Sequence, residues 1–187
     1  MRHVFETEQW LPFPRELVFA FFANPKNLPP LMPAWQKARI DEVTWQPPPP
    51  RPQATPALPG VAAGDGTLLL ITARAMPGFP LRGDWLARIE DFRWNEGFCD
   101  VQLQGPFAYW RHCHTVSDAL SAKGVSGTRV HDHVTFELPI APASDMGAGA
   151  AKAALAATFV YRQQQAPQLV STFAVEAGYR PLSGDFA

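Results

Sequence analysis

The chain has 187 residues and a formal net charge of −1, with 16 Lys and Arg against 17 Asp and Glu. Only 18% of the residues are charged, so the composition disfavours nucleic acid as the main partner. An apolar fraction of 47%, with 13 Phe and 6 Trp, is too high for a disordered chain and is typical of a globular protein. A chain of this length predicts a single domain over 1–187.

The cysteine count and the N-terminus predict a cytoplasmic protein. Two cysteines, Cys99 and Cys113, are too few for a disulfide framework. The N-terminal sequence MRHVFETEQW is polar where a signal peptide needs an apolar core. The longest helix-compatible apolar run, Met146 to Val160, is short for a bilayer and contains Lys152, so we expect no stable membrane insertion.

The N-terminal third predicts a strand followed by short helices. Residues 2–11 alternate as a strand, and a short helix is expected from Pro14 to about Ala23, where Asn24-Pro25 ends it. This helix is apolar nearly all round, which is typical of a helix packed between layers. The sequence NLPPLMP then predicts a Pro-broken turn or a second short helix, and residues 35–45 return to an extended pattern.

A proline-rich insertion occupies residues 47–60. Its PPPPRP run is expected to be a stiff connecting loop, although such runs can also bind an aromatic groove of a partner. No other feature of the sequence identifies a protein partner.

The remainder of the chain predicts an antiparallel sheet and a final helix. Short turns separate the strand-like runs TLLLITARA, LRGDWLARIEDFRW, FCDVQLQ, FAYWRHCHTV and TRVHDHVTFELP. Helical spacing resumes after Pro142 and is interrupted by Pro167, which predicts a long, kinked C-terminal helix. This order of elements indicates an α+β protein whose curved sheet is covered by the last helix.

Several segments resemble the SRPBCC superfamily of helix-grip proteins. They are FPRELVFAFFANPKNLPPLMP, GPFAYWRHCHTV, GTRVHDHVTFELP and FVYRQQQ. The superfamily includes birch-pollen-allergen-like, StAR-related lipid-transfer and polyketide cyclase/dehydrase-like domains, and the likeness is greatest to bacterial members of uncertain function. It implies a helix-grip fold with about seven antiparallel strands, two short helices after the first strand, and an apolar cavity against the C-terminal helix.

Strand alternation assigns side chains to the two faces of the sheet. A tight hairpin at Gly105-Pro106 would place Cys99, Val101 and Leu103 on the inner face, opposite His112 and Trp110. A Cys99–Cys113 disulfide is not expected in that arrangement.

The next strand carries a second His-x-His pair. Its inner face is formed by Val130, Val134, Phe136 and Leu138, which places Asp132 inside and turns His131 and His133 outward. The two His-x-His pairs then face opposite ways, so four imidazoles cannot meet at one ion, and we predict no metal and no cofactor.

The inner His-x-His pair is expected to meet a carboxylate. Depending on the register, Asp132 lies opposite His112 or His114 in an apolar pocket. The group is either a structural hydrogen-bonded pair or a general acid/base in which Asp132 orients a histidine. With Cys99 beside His112, a thiol nucleophile is a further, weaker alternative.

Two functions remain open for such a cavity. The first is binding or transport of a hydrophobic small molecule, such as a lipid, isoprenoid or polyketide-like compound. The alternative is a cyclase/dehydratase-like enzyme acting through His112, His114 and Asp132. The residues predicted to contact the ligand are Trp85, Val101, Leu103, Trp110, His112, His114, Asp132, Val134, Phe136 and Phe159.

Overall fold

The computed structural model describes residues 1–52, 58–74, 82–139 and 143–179, and it describes the side chains of that last segment from residue 147 onward. Within these ranges the chain forms seven strands, two α-helices and three short 3₁₀ helices. The strands are β1 (His3–Leu11), β2 (Arg39–Thr44), β3 (Leu68–Arg74), β4 (Arg82–Arg93), β5 (Gly97–Gln104), β6 (Tyr109–Leu120) and β7 (Ser126–Glu137). The α-helices are α1 (Arg15–Ala23) and α2 (Ala143–Glu176), and the 3₁₀ helices are Pro25–Asn27, Pro29–Leu31 and Ala34–Gln36.

The strands make one antiparallel sheet in the order β1-β7-β6-β5-β4-β3-β2. Strands β2 to β7 are a meander, and β1 returns to pair with β7, so His3 lies opposite Phe136 and Leu11 opposite Thr128. This is the predicted helix-grip architecture, with α1 and the 3₁₀ helices following the first strand and α2 lying against β1 and α1.

The main core lies where α1 and α2 cover the sheet. Leu17 and Phe19 of α1 pack in one buried cluster with Val116 and Val130 of the sheet and Val170 of α2. Aliphatic and aromatic burial of this kind supplies most of the folding free energy, at about 25 cal/mol per Å² of apolar surface. The cluster holds α2 across the sheet and so fixes the position of the inner face beneath it.

The C-terminal helix runs through Pro167 without a break. Proline has no N–H group, so the carbonyl of Gln163, four residues earlier, has no intrahelical donor. The Gln9 side chain of β1 donates a hydrogen bond to that carbonyl at 2.7 Å. Gln163 itself donates to Thr7 Oγ1 at 2.9 Å and to the Glu8 carbonyl at 3.1 Å. The carbonyl that Pro167 leaves without a helical donor thus helps to dock α2 on β1.

The inner and outer faces of β7 are as predicted. Asp132 and Val134 are buried, whereas His131 and His133 are half-exposed beside Glu6 on the outer face. The alternating burial follows from the two-residue repeat of a strand with one covered face.

The predicted face of β5 is wrong. The register places Cys99 opposite Cys113 and Asp100 opposite His112, one residue away from the predicted pairing. The Gln102 side chain explains the shift, because its amide donates to the Phe107 carbonyl and accepts from the Phe107 N–H, in place of a tight two-residue turn. Asp100 therefore faces inward.

The two cysteines form a disulfide on the outer face of β5 and β6, contrary to the prediction. They share a face because directly opposed residues of an antiparallel pair point the same way. The thiol alternative is excluded by the same finding, since Cys99 is oxidised and lies on the opposite face from His112.

The described part of the proline-rich insertion, 47–52 and 58–60, contains neither helix nor strand. The Trp94 indole donates to the Pro49 carbonyl at 2.8 Å, and the Arg51 guanidinium lies 4.7 Å from the Trp94 ring. These contacts attach the insertion to the end of β4. Among the residues described, neither α-helix combines the length and the apolarity needed to cross a bilayer.

Candidate functional site

A cavity of about 760 Å³ lies between the inner face of the sheet and α2. Its wall is mostly apolar. One side is aromatic, because the Trp85 and Trp110 rings meet edge to face at 4.9 Å and Phe107 lies 4.9 Å from Trp110. The size and the lining are those of a small-molecule pocket.

A chain of four side chains crosses β5, β6 and β7 beneath this cavity. His112 Nδ1 lies 2.9 Å from Asp100 Oδ2, and His112 Nε2 lies 2.8 Å from Asp132 Oδ1. The same Asp132 oxygen is 2.7 Å from His114 Nδ1. The β6–β7 register produces this arrangement by placing His114 directly opposite Asp132.

His112 is held as an imidazolium. Burial by itself lowers the pKa of His112, but the carboxylates of Asp100 and Asp132 outweigh burial and raise it to about 9. Both ring nitrogens then donate, one to each carboxylate, as the two distances require. His112 lines the cavity, but both of its N–H groups are engaged by carboxylates within the cluster.

His114 is the neutral member of the cluster. Burial lowers the pKa of His114, and its Nδ1 carries the proton because the Asp132 oxygen can only accept. Its Nε2 atom is then unprotonated, and it is buried without a hydrogen-bond partner among the described residues. Burial would raise the pKa of Asp132, yet the Arg162 guanidinium and the two imidazoles hold it well below its usual range.

Asp100 and Arg162 were missed by the sequence analysis. Asp100 is fixed by the Trp110 indole, which donates to Oδ1 at 3.0 Å while His112 donates to Oδ2. Arg162 lines the cavity from α2, one residue before the Gln163 that docks on β1. A signal for Arg162 was present, because it lies three residues after Phe159 and so on the same face of the helix.

The residues predicted to contact a ligand divide into three groups. Four of them line the cavity: Trp85, Trp110, His112 and Phe159. Four others are buried behind the wall: His114, Asp132, Val134 and Phe136. Val101 and Leu103 lie on the outer face, and Leu103 is 47% exposed, because the β5 register differs from the predicted one.

The grouping of His112, His114 and Asp132 has the composition of a metal site, with three ligand atoms within 4.8 Å of one another. In a tetrahedral zinc site, ligand atoms about 2.1 Å from the ion are separated from each other by about 3.4 Å. Here the two nitrogen–oxygen distances are 2.8 and 2.7 Å, which are hydrogen-bond lengths. As arranged, the three side chains bind one another, and the absence of a metal stays a prediction.

Comparison with known proteins gives matches at the level of structure. No protein-family model matches the sequence, and no curated protein matches it either. Among solved structures, TTHA0849 from Thermus thermophilus superposes with a TM-score of 0.60 at 16% identity, covering 91% of this chain and 98% of its own. CV1439 from Chromobacterium violaceum gives 0.58 at 14% identity, covering 89% and 96%.

Ara h 8.0201 gives a TM-score of 0.55 at 17% identity, covering 89% of this chain and 98% of its own. At such identities the likeness concerns the fold and not the activity. The sheet order, the short helices after β1 and the long C-terminal helix agree with it. The chain therefore has a Bet v 1-like helix-grip fold of the SRPBCC type.

Proposed function

We propose that the protein binds or transports a hydrophobic small molecule in the cavity beneath α2. The observation that carries this proposal is the cavity itself, about 760 Å³ between the sheet and the helix and walled largely by apolar side chains. Closely packed proteins contain few voids larger than a water molecule, so a space of this size favours a ligand.

Three of the polar side chains at the wall lie together. Phe159 contacts both the His112 ring and the Arg162 guanidinium, and His112 is hydrogen-bonded to Asp100, while Trp85 and Trp110 supply flat apolar contacts. A mostly apolar pocket with a small set of convergent polar groups orients a ligand by one end. This supports a lipid, isoprenoid or polyketide-like compound with a single polar terminus.

Native mass spectrometry of gently purified protein is the first test, followed by denaturing extraction of any bound mass. We expect a stoichiometric apolar adduct, and extraction names its chemical class. A probe assay covers the case in which the expression host makes no suitable ligand. The neutral dye N-phenyl-1-naphthylamine should gain fluorescence on binding with micromolar affinity.

A matched pair of variants locates that binding. Ala154 and the neighbouring Ala153 are both exposed on α2, but only Ala154 lines the cavity, at its rim. Ala154→Trp should weaken dye binding at least about tenfold, because an indole there occupies roughly the volume of the dye's own ring. Ala153→Trp should leave it unchanged. Absence of dye binding together with a bare native mass, or equal effects of the two variants, would refute the proposal.

A second candidate function is a cyclase/dehydratase-like enzyme. It is favoured by one observation, the imidazolium of His112 at the cavity wall with both ring nitrogens bonded to carboxylates. Such a group donates a proton to an oxygen atom of a bound molecule only if that oxygen replaces one of the two carboxylate acceptors. His112→Gln should then abolish conversion of the extracted ligand while changing its affinity less than threefold; a loss of affinity with no conversion by the wild type favours the carrier function.

A further inference from the structure

Arg162 presents an unpaired guanidinium to the cavity. It lines the cavity from α2, and within the described residues it makes no hydrogen bond and no ion pair within 4.0 Å. Its Nε atom is buried without a partner. Arg162 is half-buried at a largely apolar wall, so a ligand group that supplies acceptors gains both charge and hydrogen bonds.

The surroundings of Arg162 leave its N–H groups for a ligand. The guanidinium carbon lies 5.2 Å from the Phe22 ring and 5.5 Å from the Phe159 ring, so aromatic contacts hold the side chain without using its donors. Gln163, the next residue, is hydrogen-bonded to β1, which fixes this turn of α2. Arg162 is thus positioned before any ligand arrives.

Among the described residues, no carboxylate forms an ion pair with Arg162. Asp132 interacts with Arg162 electrostatically, but its Oδ1 atom already accepts from both His112 and His114. Asp100 is likewise engaged by Trp110 and His112. Both carboxylates belong to the hydrogen-bonded cluster, and the guanidinium is the group of this region that lacks a partner.

The same carboxylates limit the charge of the ligand. A dianion such as a phosphate monoester would bring a second negative charge, unmatched by Arg162, to a wall that already holds Asp100, whereas a monoanion can be matched by the single charge of Arg162. A carboxylate also fits the planar fork of a guanidinium with two parallel hydrogen bonds.

We propose that Arg162 anchors the carboxylate of an otherwise apolar ligand whose hydrocarbon part fills the cavity. This inference rests on the proposed function and specifies its ligand class as an amphipathic acid. Its distinctive consequence is a preference for an acid over the alcohol of the same carbon skeleton.

The test is displacement of N-phenyl-1-naphthylamine by dodecanoic acid and by 1-dodecanol at pH 7.5. The wild type should bind the acid at least about tenfold more tightly than the alcohol, since charge-assisted hydrogen bonds are about twice as strong as neutral ones. Arg162→Gln should remove that preference by weakening the acid about 10- to 100-fold and the alcohol less than threefold. Arg162→Lys should keep part of it, which separates the loss of charge from a loss of folding.

Arg129→Gln is the matched control, because Arg129 is an exposed arginine of β7 that lies near Glu8 and outside the cavity lining. It should leave the preference intact. Equal affinities of acid and alcohol in the wild type, a preference that survives Arg162→Gln, or its loss in Arg129→Gln would each overturn the assignment. Failure of the dye and of both competitors to bind would instead refute the cavity function on which the assignment rests.

Discussion

The sheet carries two His-x-His pairs, and the protein puts them in opposite environments. On the inner face, His112 and His114 share Asp132 at 2.8 and 2.7 Å, and all three residues are buried. On the outer face, His131 and His133 lie 3.9 and 3.6 Å from the exposed carboxylate of Glu6. The motif is the same, so the chemistry comes from strand parity and from the helix that covers one face.

The largest expected difference between the faces is in stability. Asp132→Ala leaves the His112 imidazolium with one of its two carboxylates and the buried His114 Nδ1–H without its acceptor, and it should lower the free energy of unfolding by about 3–5 kcal/mol. Glu6→Ala, which removes the carboxylate beside His131 on the outer face, should change it by less than about 0.5 kcal/mol. Urea unfolding of both variants at pH 7 measures the two values, and similar losses would mean that the inner cluster is not a linked unit.

The second difference is in pH dependence. The pKa of His112 is raised to about 9 by Asp100 and Asp132 against the opposing effect of burial, while it returns to its ordinary range on unfolding. The folded state then holds the proton more tightly, so this stability is complete below about pH 6.5 and is lost as the pH rises through 9. The loss is about 3 kcal/mol for a shift of this size.

Urea unfolding between pH 6.5 and 9.5 follows that loss, and His112→Gln should flatten the profile over this window. The groups that face His112 are Asp100, Asp132, His114 and Arg162, and the lowered pKa of His114 works in the opposite direction. Its share of the stability is present above about pH 6.5 and declines below it. A His131→Gln/His133→Gln variant should retain the wild-type decline above pH 6.5, and a flat wild-type profile would show that His112 is not held as an imidazolium.

The sequence predicts which residues face the cavity only where hydrophobic alternation alone fixes the strand register. The inward orientation of Val130, Asp132 and Val134 on β7 follows from alternation alone. The observed β6–β7 register, with His114 opposite Asp132, is one of the two that the sequence predicts. The β5–β6 register depends on the side chain of Gln102 bonding to Phe107, which no hydrophobic pattern records. Because the β5–β6 register differs from the predicted one by one residue, Asp100 faces inward and the two cysteines form a disulfide on the outer face.

The residues that α2 contributes to the cavity could be predicted only in part. Phe159 and Val170 are buried apolar residues of α2, whose helical spacing the sequence predicts, whereas Arg162 is a polar residue that lines the cavity from the same helix. A polar residue on a covered face has meaning only once the cavity beneath it is known. That knowledge requires the sheet and the helix to be placed against each other.

A smaller effect on stability is expected from the disulfide on the outer face. It closes a loop with a sequence separation of 14, for which chain-entropy arguments give stabilisation at the lower end of the usual range, about 2 kcal/mol, because the β5–β6 hairpin already restricts the chain. Replacing both cysteines by Ala should lower Tm by about 5 °C. Dye binding should persist, since Asp100 and His112 face the other way. Loss of dye binding in this variant, at a temperature where it is folded, would show that the geometry of the inner cluster depends on the disulfide on the outer face.

The smallest expected effect concerns the contact that docks α2 on the sheet. Gln9 points inward on β1 and donates to the Gln163 carbonyl, which lacks a helical partner because residue 167 is proline. Gln9→Ala should cost about 1 kcal/mol of unfolding free energy by leaving that carbonyl unbonded. In a Pro167→Ala background the restored N–H supplies the bond, so the same substitution should cost distinctly less. A double-mutant cycle in urea measures the coupling, with Glu8→Ala on the outer face as the neutral reference, and additive losses would mean that Gln9 and Pro167 act independently.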